Sequence, residues 1–192
     1  MIFFDSLGID PDKHGLKFRV IGDGPVIAQA LTTGNIDVAA MTYSLSEAAL
    51  KAGFRSMVDA ADLKAPYQGP SVCALKEILS SRHDLFLRVT KGLAEATAFI
   101  LDSGNKAEVV RTLMKHLRLN KPEEGEASYK VLRLMATLDL APNPAAFKIV
   151  QRIVAKVNPK IAQVDIDQII DASFVRSLES SGFLAELRGK TR

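Results

Sequence analysis

The sequence has very little cysteine, histidine and aromatic residue: its 192 residues include one cysteine, three histidines, no tryptophan and only 6% aromatic residues. The single cysteine, Cys73, cannot form an internal disulfide, and without a His/Cys cluster beside it, it is a poor metal ligand. We therefore expect no metal site and no cofactor. We expect Cys73 to act as a small buried hydrophobe.

The chain also lacks a long apolar run and a run of like charges. No stretch approaches the roughly 18–20 apolar residues that cross a bilayer. Residues 1–5 have neither the basic start nor the apolar length of a signal peptide. The net charge is only +3, and the basic residues are dispersed, so nucleic acid is not an expected partner. A hydrophobic content of 47% is instead typical of an ordinary globule with a packed core.

Residues arranged for catalysis are equally scarce. His14 lies in a predicted turn, His83 near a helix start and His116 among basic residues, and none has an evident nucleophile or base as a partner. The pair Ser80-Ser81 is not set in a G-x-S-x-G elbow, and there is no phosphate-binding loop of the P-loop type. We therefore predict no catalytic residue and no enzymatic activity.

The first third of the chain alternates strand-like and helix-like segments. Leu16 to Gly22 alternates apolar and polar residues, Ile36 to Met41 is a continuous apolar run, and Arg55 to Ala60 is a third strand-like segment. Helices are predicted between them, from Val26 to Leu31 with Gly34 as a left-handed cap, and from Ser44 to Ala52 with Gly53 as its stop. Strand, helix, strand, helix, strand describes two βαβ units and predicts a short parallel sheet.

The chain then becomes helical after a connector. Two prolines and a glycine between Leu63 and Pro70 favour an extended linker, so we divide the chain into 1–66, a connector at 67–76, and a helical portion at 77–192. The apolar periodicity beyond the connector predicts helices at 84–101, 105–117, 122–138, 144–157 and 172–181. The last of these has Asp171 as a plausible cap and Gly182 as its stop. Residues 2–7 read as a helix with no strand before it, and we expect that the front of the first domain is missing.

Three stretches resemble one family of proteins. Gly34-Asn35-Ile36-Asp37-Val38-Ala39 and Ala52-Gly53-Phe54 match a G-x-I-D-A turn and a helix ending A-G-F. Gly92-Leu93-Ala94-Glu95-Ala96 with Ile100 resembles an A-L-x-E-A-x-x-x-I pattern, and 171–184 resembles a closing S-F-V-x-x-L-x-x-S-G-F signature. Together these patterns resemble the substrate-binding proteins of nitrate, sulfonate and taurine ABC importers, whose superfamily includes binders and synthases of the thiamine pyrimidine precursor.

This resemblance implies a fold and a function. The fold is α/β: a type 2 periplasmic-binding-protein lobe with a short parallel sheet, followed by a helix-rich C-terminal portion that packs on both lobes. The function is capture of a small polar or anionic solute by lobe closure, in the periplasm or otherwise outside the cytoplasmic membrane, with an ABC permease as the partner of the full-length parent. The alternative is an enzyme resembling the pyrimidine-precursor synthases, which predicts a pyridoxal-type cofactor and a histidine at the cleft.

The residues expected to contact the solute lie in three turns. Asp23, Gly24 and Pro25 begin a helix whose free N–H groups attract polar or anionic groups, although Asp23 would repel an anion and also suits a simple capping role. Thr42 and Tyr43 follow a predicted strand and offer a hydroxyl and an aromatic face, with packing over the sheet edge as the alternative. The connector adds two further candidates, Tyr67 and Gln68.

A third possibility is that the chain's own surface binds another protein. A parallel sheet without its neighbouring strands exposes an unpaired edge and apolar surface, which tend to be covered by self-association. On this basis we expect a homodimer or a domain-swapped assembly.

Overall fold

The computed structural model of the chain describes residues 4, 7–59, 62–63, 66 and 68–191. Helices are the only regular secondary structure in those residues, and none of them forms a β-strand. The predicted α/β lobe with a short parallel sheet is therefore wrong. The helix predicted at residues 2–7 lies mostly outside the described part of the chain.

The α-helices are numbered here in chain order. Their bounds are α1 Gly24–Thr32, α2 Tyr43–Lys51, α3 Lys76–Ser81, α4 His83–Leu101, α5 Lys106–Leu117, α6 Pro122–Met135, α7 Pro144–Ala155, α8 Ile166–Ile169, α9 Ser173–Ser180 and α10 Phe183–Lys190. Short 3-10 turns at Ser103–Asn105 and Pro159–Gln163 connect neighbouring helices. The helices predicted from apolar periodicity correspond to α1, α2, α4, α5, α6, α7 and α9, and their existence is confirmed. The sequence did not predict α3, α8 and α10.

The predicted helix stops are also confirmed. Gly34, Gly53 and Gly182 follow α1, α2 and α9 with φ values of 74°, 91° and 78°, the left-handed conformation that glycine adopts at low cost. The start of α2 differs by one residue from the prediction. The helix was predicted to begin at Ser44, but it begins at Tyr43, and Ser44 lies inside its first turn.

The three predicted strands are irregular and unpaired in the part of the chain that the structure describes. No backbone hydrogen bond joins residues 17–22 to residues 36–41 within the described chain, and the side chains of Val20, Val38 and Met57 are 102%, 61% and 78% exposed. Residues 72–75 are likewise irregular and lead into α3. A strand needs a neighbour to complete its hydrogen bonds and to cover its apolar face, and these segments have neither.

The most deeply buried core lies where α4, α9 and α10 meet. Ala94 and Leu184 are fully buried, and Leu178 is almost so. The α9 and α10 helices each pack on α4, and the loop after α6 closes the cluster. Its buried members are Ala94, Ala98, Leu138, Val175, Leu178, Leu184 and Leu187.

Two helical hairpins complete the C-terminal portion. In the first, α5 packs on α6, and Lys106 Nζ lies 2.8 Å from Glu126 Oε2 across the pair. In the second, Gln151 on α7 donates hydrogen bonds to the carbonyls of Ile161 at 2.8 Å and Val164 at 2.6 Å. These bonds hold the chain after α7 against it.

Cys73 is exposed, so the prediction that it is buried is wrong. The segment around it is not part of a sheet that would cover it.

No helix in the described residues is both long and apolar enough to cross a membrane.

Candidate functional site

The turn at Asp23-Gly24-Pro25 begins α1. Gly22 precedes it with φ of 118°, a conformation that favours glycine. Asp23 caps the helix: its Oδ1 accepts a hydrogen bond from the Val26 N–H at 3.5 Å, and its carbonyl accepts one from the Ile27 N–H at 3.0 Å. The side-chain bond is at the long limit of such contacts and is correspondingly weak. The capping role considered for Asp23 is therefore present.

Thr42 and Tyr43 begin α2 in a similar way. The carbonyl of Thr42 accepts hydrogen bonds from the N–H groups of Leu45 at 3.1 Å and Ser46 at 2.9 Å. Tyr43 is half-buried, and its carbonyl accepts a bond from the Ser46 hydroxyl at 2.9 Å. The first turn of α2 is thus well ordered by its own hydrogen bonds.

The first turns of α1 and α2 lie against each other. A Cβ atom placed on Gly24 would overlap Leu45 Cδ1, so glycine is needed for this close approach. Gly24 is the first residue of α1 and Leu45 lies in the first turn of α2. The Asp23-Gly24-Pro25 turn and the Thr42-Tyr43 turn, which the sequence predicted to contact one solute, are therefore neighbours, although the described residues form no sheet.

Tyr43 connects this pair of turns to an acidic depression. Its hydroxyl donates a hydrogen bond of 2.6 Å to Asp59 Oδ1. Asp59 and Asp62 line an open depression of about 340 Å³ together with Ser56, Met57 and Val58. The site therefore combines one phenol, two carboxylates and a serine hydroxyl.

The electrostatics of the depression keep the phenol protonated. The hydrogen bond to Asp59 is the main cause that raises the pKa of Tyr43 above its ordinary value. Desolvation and the negative charges of Asp59 and Asp62 act in the same direction. Tyr43 therefore remains a hydrogen-bond donor to Asp59 up to strongly alkaline pH, and its oxygen can still accept from a ligand.

Sequence reasoning missed Asp59 and Asp62. The segment 55–60 was interpreted as a strand, and nothing in the spacing between residues 43 and 59 indicates that they touch. The only signal is that two acids follow closely on an apolar segment, which is common on solvated surfaces.

The connector residues are placed differently from these turns. Tyr67 lies outside the described residues. Gln68 donates a hydrogen bond to the Ser71 hydroxyl at 3.1 Å, and its Oε1 accepts one from the Asn143 N–H at 2.9 Å. Because Asn143 caps α7, this hydrogen bond links the connector to the start of α7.

The histidines lie apart from the depression. The His14 ring nitrogen Nδ1 lies 2.7 Å from the Asp10 carbonyl, and the His83 ring packs on Phe174 with centroids 4.9 Å apart. His116 is exposed on α5. No group of three or more His, Cys, Asp or Glu residues suited to a metal ion occurs in the part of the chain that is described. The groups beside Tyr43 that could bind a ligand are thus carboxylates and hydroxyls.

Comparison with known proteins adds no relative to this description. No family model matches the chain, and searches of curated proteins and of solved structures found no significant match. The case for the site consequently comes from the chain's own residues: two touching helix starts and an acidic depression beside them.

Proposed function

We propose that this chain belongs to the solute-binding component of an ABC importer and captures a small polar or anionic molecule without catalysing a reaction. The solute belongs to the sulfonate, taurine, nitrate or pyrimidine-precursor class. The component acts outside the cytoplasmic membrane and delivers its solute to a permease. The sequence motifs at 34–39, 92–100 and 171–184 support this proposal.

One geometric observation carries the proposal: the contact between the first turns of α1 and α2. Each helix start has N–H groups without a partner in the helix, together with the positive end of the helix dipole. The contact brings Gly24 of α1 against the first turn of α2, while Pro25 has no N–H and the Asp23 carboxylate, bonded to the Val26 N–H, offsets part of the positive potential at α1. A sulfonate, a carboxylate or another small polar group is suited to that environment.

The acidic depression narrows the solute class. Asp59 and Asp62 repel a bare anion and attract an ammonium group. Taurine carries an ammonium group that matches the carboxylates and a sulfonate that matches the helix starts, whereas nitrate has no positive group. A volume of about 340 Å³ lies at the low end of ligand pockets, which favours a small solute. We therefore expect a taurine-like zwitterion to bind more tightly than nitrate.

Calorimetry tests the proposal directly. Taurine, alkanesulfonates, nitrate and pyrimidine precursors are titrated into the protein, and heat of binding is expected with taurine. Asp59→Asn should weaken taurine binding about tenfold, because a charged hydrogen bond to the ammonium group is lost. Tyr43→Phe should also weaken it, since the phenol no longer orients Asp59.

Two matched variants serve as controls. Asp167→Asn neutralises an exposed carboxylate on α8, and Tyr129→Phe removes a phenol that accepts a hydrogen bond from Arg133 within α6. Neither should change binding. Absence of heat with every solute of the class would refute the proposal, and equal weakening by Asp59→Asn and Asp167→Asn would refute the assigned site.

A further inference from the structure

Helix α4 has apolar residues on two faces. One face packs into the core through Leu87, Ala94 and Ala98. The other face is uncovered within the described structure: Leu85, Val89, Leu93 and Phe99 are 37%, 38%, 46% and 43% exposed. A helix that packs on the core through one face needs only that face to be apolar, so a second apolar face indicates a further contact.

The spacing on the uncovered face is that of a helix-pairing seam. Leu85, Val89, Gly92, Ala96 and Phe99 are separated alternately by four and three residues, the interval at which coiled-coil contacts repeat. The two smallest side chains lie in the middle of this seam, and nothing lies within 4 Å of a Cβ placed on Gly92. The middle of the seam therefore has room for the close approach of another helix.

The charges beside the seam favour a second copy of the same helix as the binding partner. Arg88 and Glu95 are one heptad apart, so they lie on the same edge of the seam. Both side chains are exposed and make no ion pair among the described residues. When two such helices run antiparallel, Arg88 of one copy faces the partner's Glu95 and Glu95 faces the partner's Arg88. The edge is thus complementary to itself.

We propose that two copies of this chain associate through this uncovered face of α4, which we call the α4 seam. The two α4 helices run antiparallel and cross near Gly92, with Leu85 of each copy packing near Phe99 of the other at the ends. Association removes four exposed apolar side chains per copy from water. A parallel pair would set Arg88 beside the partner's Leu93 and would leave both charges unmatched.

Charge exchange across the seam tests this arrangement. Sedimentation equilibrium is run on the wild type, Arg88→Glu, Glu95→Arg and the double variant, with reductant present because exposed Cys73 can link two copies. The wild type should be a dimer. Each single change replaces two attractive pairs by two repulsive ones and should weaken the dimer about tenfold. The double variant restores opposite charges and should recover most of the affinity.

The remaining outcomes overturn the proposal. A monomeric wild type excludes the dimer, and failure of the double variant to recover excludes the antiparallel seam. Lys148→Glu changes an exposed charge on α7, away from the seam; an equal loss in this variant would mean that net charge, not the seam, controls association. All variants change exposed residues, so their circular dichroism spectra should match the wild type, which shows that each variant is folded.

Discussion

At the start of α9, Asp171 uses one carboxylate to organise a helix. Its Oδ1 accepts a hydrogen bond of 2.8 Å from the Ser173 N–H. The hydrogen bonds from Ser173, first from its side chain and then from its backbone, lower the pKa of the Asp171 carboxyl; desolvation opposes them, and the positive charge of Arg176 adds to the lowering. Because the folded pKa is depressed, this contribution is complete above the unfolded pKa and is lost as the pH falls through the folded pKa.

Asp171→Ala should therefore destabilise the protein in a pH-dependent way. At neutral pH the free energy of unfolding should fall by about 0.5–1 kcal/mol, the usual cost of removing one exposed hydrogen bond; Asp171 lies one residue before the capping position, which Ala172 occupies. In acid below the folded pKa, the variant and the wild type should converge. Urea denaturation at several pH values measures this, with Asp37→Ala as an exposed control. A loss that stays constant down to acid pH would contradict the assigned role.

Arg118 occupies a backbone conformation that favours glycine. It ends α5 with φ of 54° and ψ of 42°, where a side chain costs about 1–2 kcal/mol. Arg118→Gly should raise the free energy of unfolding by roughly 0.5–1 kcal/mol, since the relieved strain exceeds the added freedom of the unfolded chain.

Gly182→Ala is the reverse substitution: it adds a side chain at a left-handed position, whereas Arg118→Gly removes one. Gly182 has φ of 78°, and a Cβ there would meet nothing within 4 Å. Strain alone should then destabilise the variant by about 1 kcal/mol. Thermal unfolding measures both variants, and a loss of stability in Arg118→Gly would contradict the strain argument.

At the scale of elements, the α5–α6 hairpin depends on a glycine inside a helix. A Cβ on Gly125 would lie 2.7 Å from Met114 Cγ and 3.1 Å from Val110 Cγ1. Met114 can move aside, but the β-branched Val110 is stiff. Gly125→Ala should therefore lower stability by about 1 kcal/mol, because overpacking outweighs the gain in helix propensity.

Gly189→Ala in α10 is the matched control. A Cβ at Gly189 meets nothing within 4 Å, so only the propensity gain remains. This variant should be more stable than the wild type by up to about 1 kcal/mol. Chemical denaturation of the two variants separates the effects, and a gain in both would show that the α5–α6 contact relaxes freely.

The elements also show which predictions sequence patterns can support. A helix satisfies its hydrogen bonds within its own segment, so the periodicity of 84–101 and the glycine after 171–181 were sufficient to predict α4 and α9. The strand-like pattern of 16–22 was not sufficient, because a strand takes its hydrogen bonds from another segment. The alternation shows that residues 16–22 could pair as a strand, but no neighbouring segment pairs with them in the described structure.

Across the whole molecule, burial is uneven. Fully buried side chains gather around α4, α9 and α10, whereas Phe18, Val20, Val38 and Met57 are largely exposed in the first sixty residues. Local stability follows apolar burial and backbone hydrogen bonding. The C-terminal portion should therefore open only with global unfolding.

Hydrogen exchange should reveal this difference. The amides of residues 17–22 make no backbone hydrogen bond within the described chain and should exchange at nearly unprotected rates. Those of residues 94–101, inside α4, should be protected close to the global limit. Mass spectrometry of peptides from both segments measures the contrast. Equal protection would mean that 17–22 is paired in a ladder, contrary to the structure.

The sequence by itself determined α4, α5, α6, α7 and α9 of the C-terminal portion and the glycines that end three helices, because each depends on bonds and dihedral angles within a few consecutive residues. Tertiary structure alone decided that the described residues form no sheet, that Cys73 is exposed, and that Tyr43 meets Asp59. These outcomes depend on which distant segments supply hydrogen bonds and cover apolar surface. A local pattern carries no information about that choice.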